Sequence, residues 1–533
     1  MLNGVRQATG PTLRWTSGPT LRWTSGRTLH WTSVRQLVRL ATRPGHSRAE
    51  RATGRRRGTP KPHRRSPDSG QSERLREAST LPGVVISPAT GSNEPMTNAE
   101  GPGEATPAFQ QPGGPQARSP EQARSPEQAR NPEQGGQTRP LPDFTDTEQT
   151  FRHLSGGELR QASWLFALMG KPLVTRLLSS LGALAVRWRL PGAQWAVRRT
   201  IYRQFVGGTD LSDALPTIHR LFERGVTSIL DYGVEAKAEE ADFENLVEEV
   251  CSAIEFGAEA PAAGSVVVKV TGIAPNEVLE AQNDRAIDFA GELDPRFIKV
   301  VERLDRICRT AKEQGVQLYL DAEETWYQNT VDQIAEEMMR RTNRERVVVL
   351  NTFQLYRHDR LAYLKASFER AEAGGYLLGA KLVRGAYMDK ERARAKEQGY
   401  PSPIQPDIES THRDFDAAVR FCLERVDKIC TTIGSHNEAS TRGAAVYLAE
   451  SDIPRNHPHV RFAQLLGMSD NLTFNLAEAG FNASKYLVYG PVREVLPYLV
   501  RRAQENTSVT GEMGREQRLL ESERKRRRAA KSL

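Results

Sequence analysis

The hydrophobic pattern of the chain changes near Gly225. From residue 226 onward, short apolar runs recur, and each is followed by a longer amphipathic segment. Continuous β-branched runs are typical of strands buried on both faces, and the amphipathic segments are typical of crossover helices. The runs are VTSILD (226–231), SVVVKV (265–270), VQLYLD (316–321), VVVLN (347–351), GAKLVR (379–384), KICTTI (428–433), VRFAQ (460–464) and KYLVY (485–489).

Eight strand–helix units in succession predict an α/β fold, a (β/α)8 barrel spanning residues 226–510. An open, doubly wound sheet is the alternative that the pattern leaves. The preceding residues 141–225 predict a helical lead-in, because apolar residues there repeat every three or four positions. The clearest stripe consists of Leu173, Leu177, Leu181 and Leu184.

Residues 1–140 predict a disordered, low-complexity basic tail. The octapeptide PTLRWTSG occurs twice between residues 11 and 26, and QARSPE-type repeats fill 116–133. Gly, Pro, Ser and charge dominate, so little apolar surface offsets the entropy of ordering. The first 49 residues hold eight Arg and no acidic residue, which is typical of a mitochondrial targeting segment. The alternatives are a mis-assigned start, with Met96 the real one, and a basic arm for RNA or membrane.

The net charge of +8 is concentrated at the two ends of the chain. Residues 1–95 hold 17 basic and 5 acidic residues, a net of +12, and residues 515–533 hold 8 and 3, a net of +5. Residues 96–514 therefore carry −9. Residues 511–533 predict a basic C-terminal tail, and an acidic body argues against a nucleic-acid partner.

The most apolar region, 164–188, is interrupted by Lys171 and Arg176. No uninterrupted apolar run in it reaches the roughly 18 residues that a membrane-spanning helix needs. The region predicts either a surface for membrane contact or a segment packed on the barrel. The four cysteines form no C-x-x-C and predict structural thiols in a reducing compartment. Dinucleotide-binding, P-loop and nucleophile-elbow motifs are missing from the sequence. His457 and His459 lack a partner cluster, so no metal site is predicted.

Candidate chemistry should lie at the carboxyl ends of the strands, where a barrel places its reactive groups. Most of the apolar runs end in, or are closely followed by, a polar residue that could serve such a site. These residues are Lys269, Asp321, Gln354, Arg384, His436 and Gln464. Both charge signs occur among them, which favours a functional site over six unrelated solvated strand ends.

The last helix of the predicted barrel carries one polar face. Tyr498, Arg501, Arg502 and Glu505 fall at i, i+3, i+4 and i+7. Two Arg residues there predict an anion clamp, since guanidinium groups bind carboxylates through paired hydrogen bonds. The alternative is a solvated face with an Arg–Glu pair.

The strings LDAEETWYQ, GAKLVRGAY, GSHNEAST, FAQLLGMSDN, YGPVREVLPYLVRRAQEN and VVVKVTG resemble the flavin-dependent proline dehydrogenase (proline oxidase) family. The resemblance covers about residues 145–515. It implies the single-function type, since no aldehyde dehydrogenase module follows. It also implies a distorted barrel with FAD at its carboxyl-end face. L-proline would pass a hydride to the flavin to give Δ1-pyrroline-5-carboxylate, and a quinone would take the electrons. This is the first step of proline catabolism to glutamate.

The resemblance assigns roles to individual residues near the substrate. Lys269 and Asp321 match a polar pair and are the expected catalytic residues. The substrate contacts implied are Lys269, Tyr486, Leu466, Tyr498, Arg501 and Arg502. Relatives that oxidise hydroxyproline carry a small residue where this chain has Tyr486, which favours proline. Glu235 is implied as a gate that pairs with an Arg of the last helix.

A second set of residues is implied for the cofactor. It comprises Ala322, Gln354, Lys381, Arg384, Gly385, Ala386, Ser435, His436 and Glu505. Lys381 stands near flavin N5, where some bacterial members carry Arg, and a cation there favours reduced flavin. Small residues such as Gly385 allow the backbone to approach a ligand closely.

The expected compartment is the cytoplasm, with peripheral contact at the inner membrane because a quinone lies in lipid. A mitochondrial location is the alternative if the Arg-rich N-terminus is a targeting segment. Two other functions are compatible with the residues alone. One is a barrel aldolase with Lys269 or Lys381 as a Schiff-base amine. The other is an inactive barrel tethered to nucleic acid or membrane by its basic ends.

Overall fold

A computed structural model describes residues 140–169, 192–234, 239–508 and 512–531, without the side chains of residues 503–508 and 512–513. It also describes the strand β1 (Leu21–Arg22), which pairs antiparallel with β2 (Thr28–Leu29). The rest of the predicted disordered tail lies outside the described residues. Two compact units are present, Met1–Gln111 and Pro112–Leu533. The barrel and its helices belong to the second unit.

The core of this unit is a closed barrel of eight parallel strands, so the predicted (β/α)8 fold is confirmed. Every apolar run of the sequence overlaps one strand. Neighbours along the chain are neighbours in the sheet, and β10 closes the ring by pairing with β3. The strands are β3 (Val226–Tyr232), β4 (Ser265–Val268), β5 (Gln317–Leu320), β6 (Val349–Gln354), β7 (Leu378–Val383), β8 (Ile429–Gly434), β9 (Val460–Leu465) and β10 (Ala483–Tyr489).

Helices surround the barrel, most of them as crossovers between successive strands. In the described part of the chain, five α-helical segments precede the barrel: α1 (Thr147–Phe151), α2 (Gly156–Met169), α3 (Ala193–Val197), α4 (Arg203–Phe205) and α5 (Leu211–Phe222). A π-helical turn (Arg198–Tyr202) joins α3 to α4. The others are α6 (Glu240–Glu259), α7 (Asn276–Gln282), α8 (Pro295–Gln314), α9 (Thr325–Thr342), α10 (Arg360–Gly374), α11 (Met388–Gln398), α12 (Ile408–Leu423), α13 (Glu438–Glu450), α14 (Asp470–Glu478), α15 (Leu496–Ser508) and α16 (Glu512–Ala529). Short 3₁₀ turns cover Pro261–Ala263 and Val270–Gly272.

Most of the described part of the lead-in is helical, although its leucine stripe at 173–184 lies outside the described residues. Buried Phe151, Leu159 and Phe166 pack with Tyr486, Val488 and Val495 of the barrel end. Two tryptophans of the lead-in face outward instead, Trp164 at 56% exposure and Trp195 at 67%. Among the described helices, none is long and apolar enough to cross a bilayer.

The chain end differs from the predicted tail, because α16 is a helix packed on α1 and α2. Leu520 is buried on this helix, and Glu523 is fully buried. Glu523 pairs with Arg526 and Arg527 on its own helix and accepts a hydrogen bond from Thr147. Arg527 also donates to the carbonyl oxygens of Phe151 and Leu154. The net charge of the segment concealed this arrangement, since it does not show that Glu523 is buried and paired within the helix.

All four cysteines are buried and none forms a disulfide. Burial raises the pKa of Cys422 to about 12, which leaves its thiol protonated and unreactive. The chain therefore uses these side chains as small apolar residues, in keeping with the expected structural thiols.

The two-residue period of the strands sorts side chains between the barrel interior and the outer core. Ile229, Val267 and Tyr319 lie in the inner cluster, whereas Leu230, Val266 and Leu318 belong to the outer core beneath the helices. Two residues beyond each inner residue come Asp231, Lys269 and Asp321. Because side chains of equal parity share a face, these three charged groups form the next inward layer, at the carboxyl ends of the strands.

Candidate active site

A cluster of charged side chains occupies the carboxyl-end mouth of the barrel. Lys269 Nζ lies 3.5 Å from Asp231 Oδ1 and 3.5 Å from Asp321 Oδ2, so it stands between two carboxylates. Lys381 pairs with the other oxygen of Asp321. The Tyr486 phenol donates to Asp321 Oδ2 at 2.7 Å. Four strands and the loops that follow them thus meet at Asp321.

Burial opposes the charges of this cluster, but the cluster's own contacts outweigh that effect. Burial raises the pKa of Asp321, but Lys381 and then Lys269 lower it by more in total, so the net pKa is below its ordinary value. Burial lowers the pKa of Lys269, but Asp231 and Asp321 raise it by more. Burial dominates at Asp231, whose pKa is raised. Asp321 is therefore the carboxylate held in its ionised form.

Aromatic rings wall the cluster on the β10 side. The Lys381 ammonium lies 4.6 Å from the centroid of the Tyr486 ring. Burial raises the pKa of Tyr486 well above its usual value, so the phenol remains a donor. Tyr498 of α15 is buried in the same apolar cluster as Tyr486. The guanidinium of Arg502 lies 5.5 Å from the Tyr498 ring. The helix with the two Arg residues therefore borders the same mouth.

Leu466 does not join this group. Its side chain belongs to the outer core, whereas Leu465 packs against the inner cluster with Tyr486 and Tyr498. Tyr486 pairs in register with Leu465 on β9, which fixes the face that each leucine occupies. The apolar contact expected from Leu466 therefore falls to its neighbour. A one-residue difference in a strand reverses the face, and the QLLGM string alone does not reveal it.

Most of the expected cofactor residues form a second group at the ends of β6, β7 and β8. Arg384 donates to the hydroxyls of Ser435 and Ser440, each at 2.8 Å, and to His412 at 2.9 Å. The Gln354 side chain accepts from the Ala386 backbone N–H at 3.4 Å. Guanidinium, hydroxyl and amide groups that could bind anionic or carbonyl oxygens therefore lie side by side.

Gly385 makes the loop after β7 compatible with a close ligand. Its φ is +136°, and a Cβ atom at this position would lie 2.4 Å from the Tyr356 ring. Only glycine fits such a place without moving the aromatic ring. The backbone of the loop is therefore open for close approach where the resemblance implies flavin contact.

His436 contacts a different loop from Arg384. Its Nδ1 lies 2.9 Å from the Ser469 hydroxyl, and burial lowers its pKa to about 3. The imidazole is therefore neutral at physiological pH. Ala322 follows Asp321 directly and is buried. Glu235 and the side chain of Glu505 lie outside the described residues, so the gate and that cofactor contact stay predictions.

Three residues of the site were not among the sequence candidates. Asp231 ends the run VTSILD, so the strand-end rule could have identified it. Glu323 accepts from the backbone N–H of Thr271 at 3.1 Å, and burial raises its pKa to about 7. Tyr387 is electrostatically coupled to Glu323 and Lys269, and burial raises its pKa. Both lie in loops that follow strands of the barrel, and no sequence pattern distinguishes them from other loop residues.

Residues 214–515, more than half of the chain, match the family model described as proline dehydrogenase. The chain belongs to the proline dehydrogenase family. The chain is 42% identical to proline dehydrogenase 1, mitochondrial, of Drosophila melanogaster over 43% of this chain and 35% of that protein. The human protein of the same name is 40% identical over 44% of this chain and 39% of its own length. These matches span well under half of either relative.

Another relative is matched over a larger share. The hydroxyproline dehydrogenase of Xenopus laevis is 30% identical over 71% of this chain and 88% of that protein. Among solved structures, proline utilization A (PutA) from Bdellovibrio bacteriovorus, inactivated by N-propargylglycine, aligns with a TM-score of 0.54 at 20% identity. That match covers 69% of this chain and 38% of the other, and it supports the barrel fold alone.

Proposed function

We propose that this chain oxidises L-proline to Δ1-pyrroline-5-carboxylate with FAD as the oxidant and a quinone as the final electron acceptor. The observation that carries the proposal is the cluster at the barrel mouth, in which Lys269, Lys381 and Tyr486 surround Asp321. A member of the proline dehydrogenase family with this arrangement has the charges needed for an amino-acid substrate.

Arg501, Arg502 and Lys269 are proposed to bind the proline carboxylate. Each charge-assisted hydrogen bond would contribute about 1.5–3 kcal/mol. Tyr486 and Tyr498 offer ring faces for the pyrrolidine, and Leu465 supplies the apolar contact from β9. This placement would fix the orientation of the ring carbon next to nitrogen.

The oxidation breaks a C–H bond at that ring carbon, with its electron pair leaving as hydride, and forms a carbon–nitrogen double bond. Bound FAD supplies the hydride acceptor. The amine must first lose its ammonium proton, after which positive charge grows on the ring nitrogen. Asp321 is proposed to stabilise that charge, because its lowered pKa keeps it ionised. Its two oxygens are fixed by Tyr486 and the lysines, so little reorganisation is needed.

The residues at the ends of β6–β8 fit an FAD molecule. Arg384, Ser435 and His436 provide donors suited to the anionic part of the cofactor. Gln354, Ala322 and Lys381 lie on the inner side, where the ring system would meet the substrate. The cradle at Gly385, which a Cβ would fill, supports this fit. Lys381, which pairs with Asp321, would then supply a cation that favours reduced flavin.

Trans-4-hydroxy-L-proline is the second candidate substrate, because the Xenopus relative is named a hydroxyproline dehydrogenase. Tyr486 argues for proline instead. Its phenol is directed at Asp321, so the space that a ring hydroxyl would need is taken by this contact.

The deciding experiment uses the full chain purified in the presence of FAD. We expect a yellow protein whose flavin absorbance is bleached anaerobically by L-proline and restored by a soluble quinone, with slower bleaching by hydroxyproline. Faster bleaching by hydroxyproline would favour the second substrate. A flavin-free protein, or one that neither substrate bleaches, would overturn the proposal. Borohydride trapping of a carbonyl substrate on Lys269 or Lys381 would support an aldolase instead.

A membrane-associated, mitochondrial setting is proposed for the enzyme. Relatives from fly, human and worm are named mitochondrial, which favours the mitochondrial alternative over the cytoplasm. Exposed Trp164 and Trp195 on the lead-in provide a surface for peripheral contact with a quinone-bearing bilayer. Mitochondrial import of a reporter fused to residues 1–95 would test the location. Flotation of the wild-type protein and of the Trp164→Ala variant with lipid vesicles would test the membrane contact.

A further inference from the structure

The C-terminal helix α16 contacts two loops of the barrel mouth through two adjacent residues. Arg515 pairs with Glu438, the first residue of α13. Glu516 Oε1 accepts a 2.5 Å hydrogen bond from the backbone N–H of Ser469, just before α14. One end of the helix thus touches the loop after β8 and the loop after β9.

These two loops carry candidate cofactor contacts. The loop after β8 contains Ser435, which binds Arg384, and His436. The loop after β9 contains Ser469, whose hydroxyl lies 2.9 Å from His436 Nδ1. A continuous set of hydrogen bonds therefore runs from Glu516 through Ser469 to His436.

The loop after β9 is held from several sides. Ser469 has a φ of +48°, and it is the sole non-glycine residue with positive φ in the described part of the chain. At Gly467, a Cβ atom would lie 2.1 Å from the Gln204 carbonyl oxygen of α4. On the barrel side, buried Lys485 pairs with Asp470 at 2.8 Å and donates to the Met468 carbonyl at 2.6 Å. Glu516 supplies the remaining contact, to the backbone of Ser469 itself.

Glu516 is an unusual carboxylate for a basic chain end. Burial and, secondarily, the nearby Asp470 raise its pKa to about 7. The hydrogen bond from the Ser469 N–H acts in the other direction, because it favours the ionised carboxylate. The far end of α16 is anchored independently, by Glu523, Arg524 and Arg527 on the lead-in helices.

We propose that α16 is a clamp on the cofactor site and that Glu516 is a positioning residue for FAD binding, acting through Ser469 on His436. The inference rests on the proposed function, because it assigns the helix a role toward that cofactor. Almost all of α16 lies beyond residues 214–515, so the family match does not account for it. Arg515 contributes less, because Arg442 also binds Glu438, at 2.8 Å.

The test compares Glu516→Leu, which removes the acceptor, with Glu516→Gln, which retains an acceptor oxygen. Glu521→Leu is the matched control, since Glu521 lies exposed on the same helix. FAD affinity is measured by titrating apoprotein, and thermal unfolding is measured with and without FAD. We expect Glu516→Leu to weaken FAD binding about ten-fold, or about 1.4 kcal/mol. Glu516→Gln should restore most of the affinity, and Glu521→Leu should leave it unchanged.

The FAD-dependent shift separates a cofactor role from a purely structural one. Under the proposal, Glu516→Leu reduces the rise in Tm that FAD produces, while the proline KM at saturating FAD stays unchanged. Equal losses of Tm with and without FAD, at unchanged FAD affinity, would overturn it. A wild-type protein that binds no FAD would instead overturn the proposed function, so the two failures are distinguishable.

Discussion

The phenol of Tyr486 donates a 2.7 Å hydrogen bond to Asp321, whose other carboxylate oxygen pairs with Lys381. These groups come from β10, from the residue following β5, and from β7. One tyrosine therefore both walls the candidate substrate cavity and helps to hold the central carboxylate. Substitutions at this position can separate the two roles.

Tyr486→Phe keeps the ring but removes the hydrogen bond to a charged acceptor. We expect proline turnover to fall about ten- to a hundred-fold, since such bonds contribute about 1.5–3 kcal/mol. Tyr486→Ser removes the ring as well and should raise the ratio of hydroxyproline to proline turnover. Steady-state kinetics on both substrates measure the two effects. If Tyr486→Phe raises the ratio as much as Tyr486→Ser does, the ring is not the selecting element.

Lys269 is expected to stabilise the fold by separating Asp231 from Asp321. Lys269→Met would leave two buried carboxylates without the cation between them. We expect the free energy of unfolding to fall by about 2 kcal/mol. Breaking a fully buried ion pair typically costs about 3–5 kcal/mol, and the loss here is smaller because the lysine side chain is 35% exposed. Urea unfolding measures this loss.

The double variant Lys269→Met/Asp231→Asn supplies the control for that prediction. It removes the charge of Asp231, the carboxylate left without a cation, whereas Asp321 keeps its pair with Lys381, so the double variant should be more stable than Lys269→Met alone. A double variant that is equally or less stable would show that Asp231 and Lys269 are not energetically coupled.

Gly385→Ala should disturb both the fold and flavin binding. The new Cβ would meet the buried Tyr356 ring at 2.4 Å, and overpacking of this kind costs about 1–3 kcal/mol. Gly399→Ala is the matched control, because Gly399 also has positive φ (+73°) but no atom within 4 Å of the new Cβ. We expect both variants to lose about 1 kcal/mol from backbone strain. Only Gly385→Ala should also lower the flavin content, and equal flavin loss in the two would contradict the cradle.

Glu323 should make the fold less stable as pH rises. Burial raises its pKa in the fold to about 7, above the value of about 4.5 expected in the unfolded chain. The folded state therefore binds the proton more tightly, and the stability contributed is fully present below about pH 4.5 and lost as pH rises through about 7. The span corresponds to about 3 kcal/mol.

Glu323→Gln removes this titration while keeping a side chain that can hydrogen-bond Thr271. Relative to wild type, the variant should gain stability between pH 5 and pH 8, measured as the difference in urea midpoints. Other groups, such as Glu516 with its raised pKa and His153 with its lowered pKa, titrate equally in both proteins and cancel. A difference that does not change with pH would contradict the raised pKa of Glu323.

Much of the fold could be predicted because strands and helices leave local signals. Each of the eight runs overlaps a strand, and polar strand ends such as Lys269 and Asp321 face one mouth as expected. The sequence predicts less well which side chains of a strand face the barrel interior. Leu465 and Leu466 are adjacent and chemically identical, and only the register with Tyr486 decides which one faces inward.

Contacts remote in sequence were beyond prediction for a physical reason. The charge run at the C-terminus predicted a tail, yet burial of Leu520 and the pairing of Glu523 within α16 make it part of the fold. The net charge averages over all residues of the segment, whereas the packing of α16 on the lead-in helices depends only on the residues of one helical face. The contact between Glu516 and Ser469 leaves no local mark in the sequence.

The sequence by itself determined the eight strand–helix units and the layer of polar residues at the strand ends, because apolar periodicity is encoded locally. It left open whether the strands close into a barrel or form an open sheet. The tertiary structure alone decided which of those residues touch. Tyr486 and Asp321 are 165 positions apart, and they meet only because β10 pairs with β3 and closes the ring. Closure turns separate strand ends into one charged cluster, and α16 packs beside it through contacts that exist only once the barrel has formed.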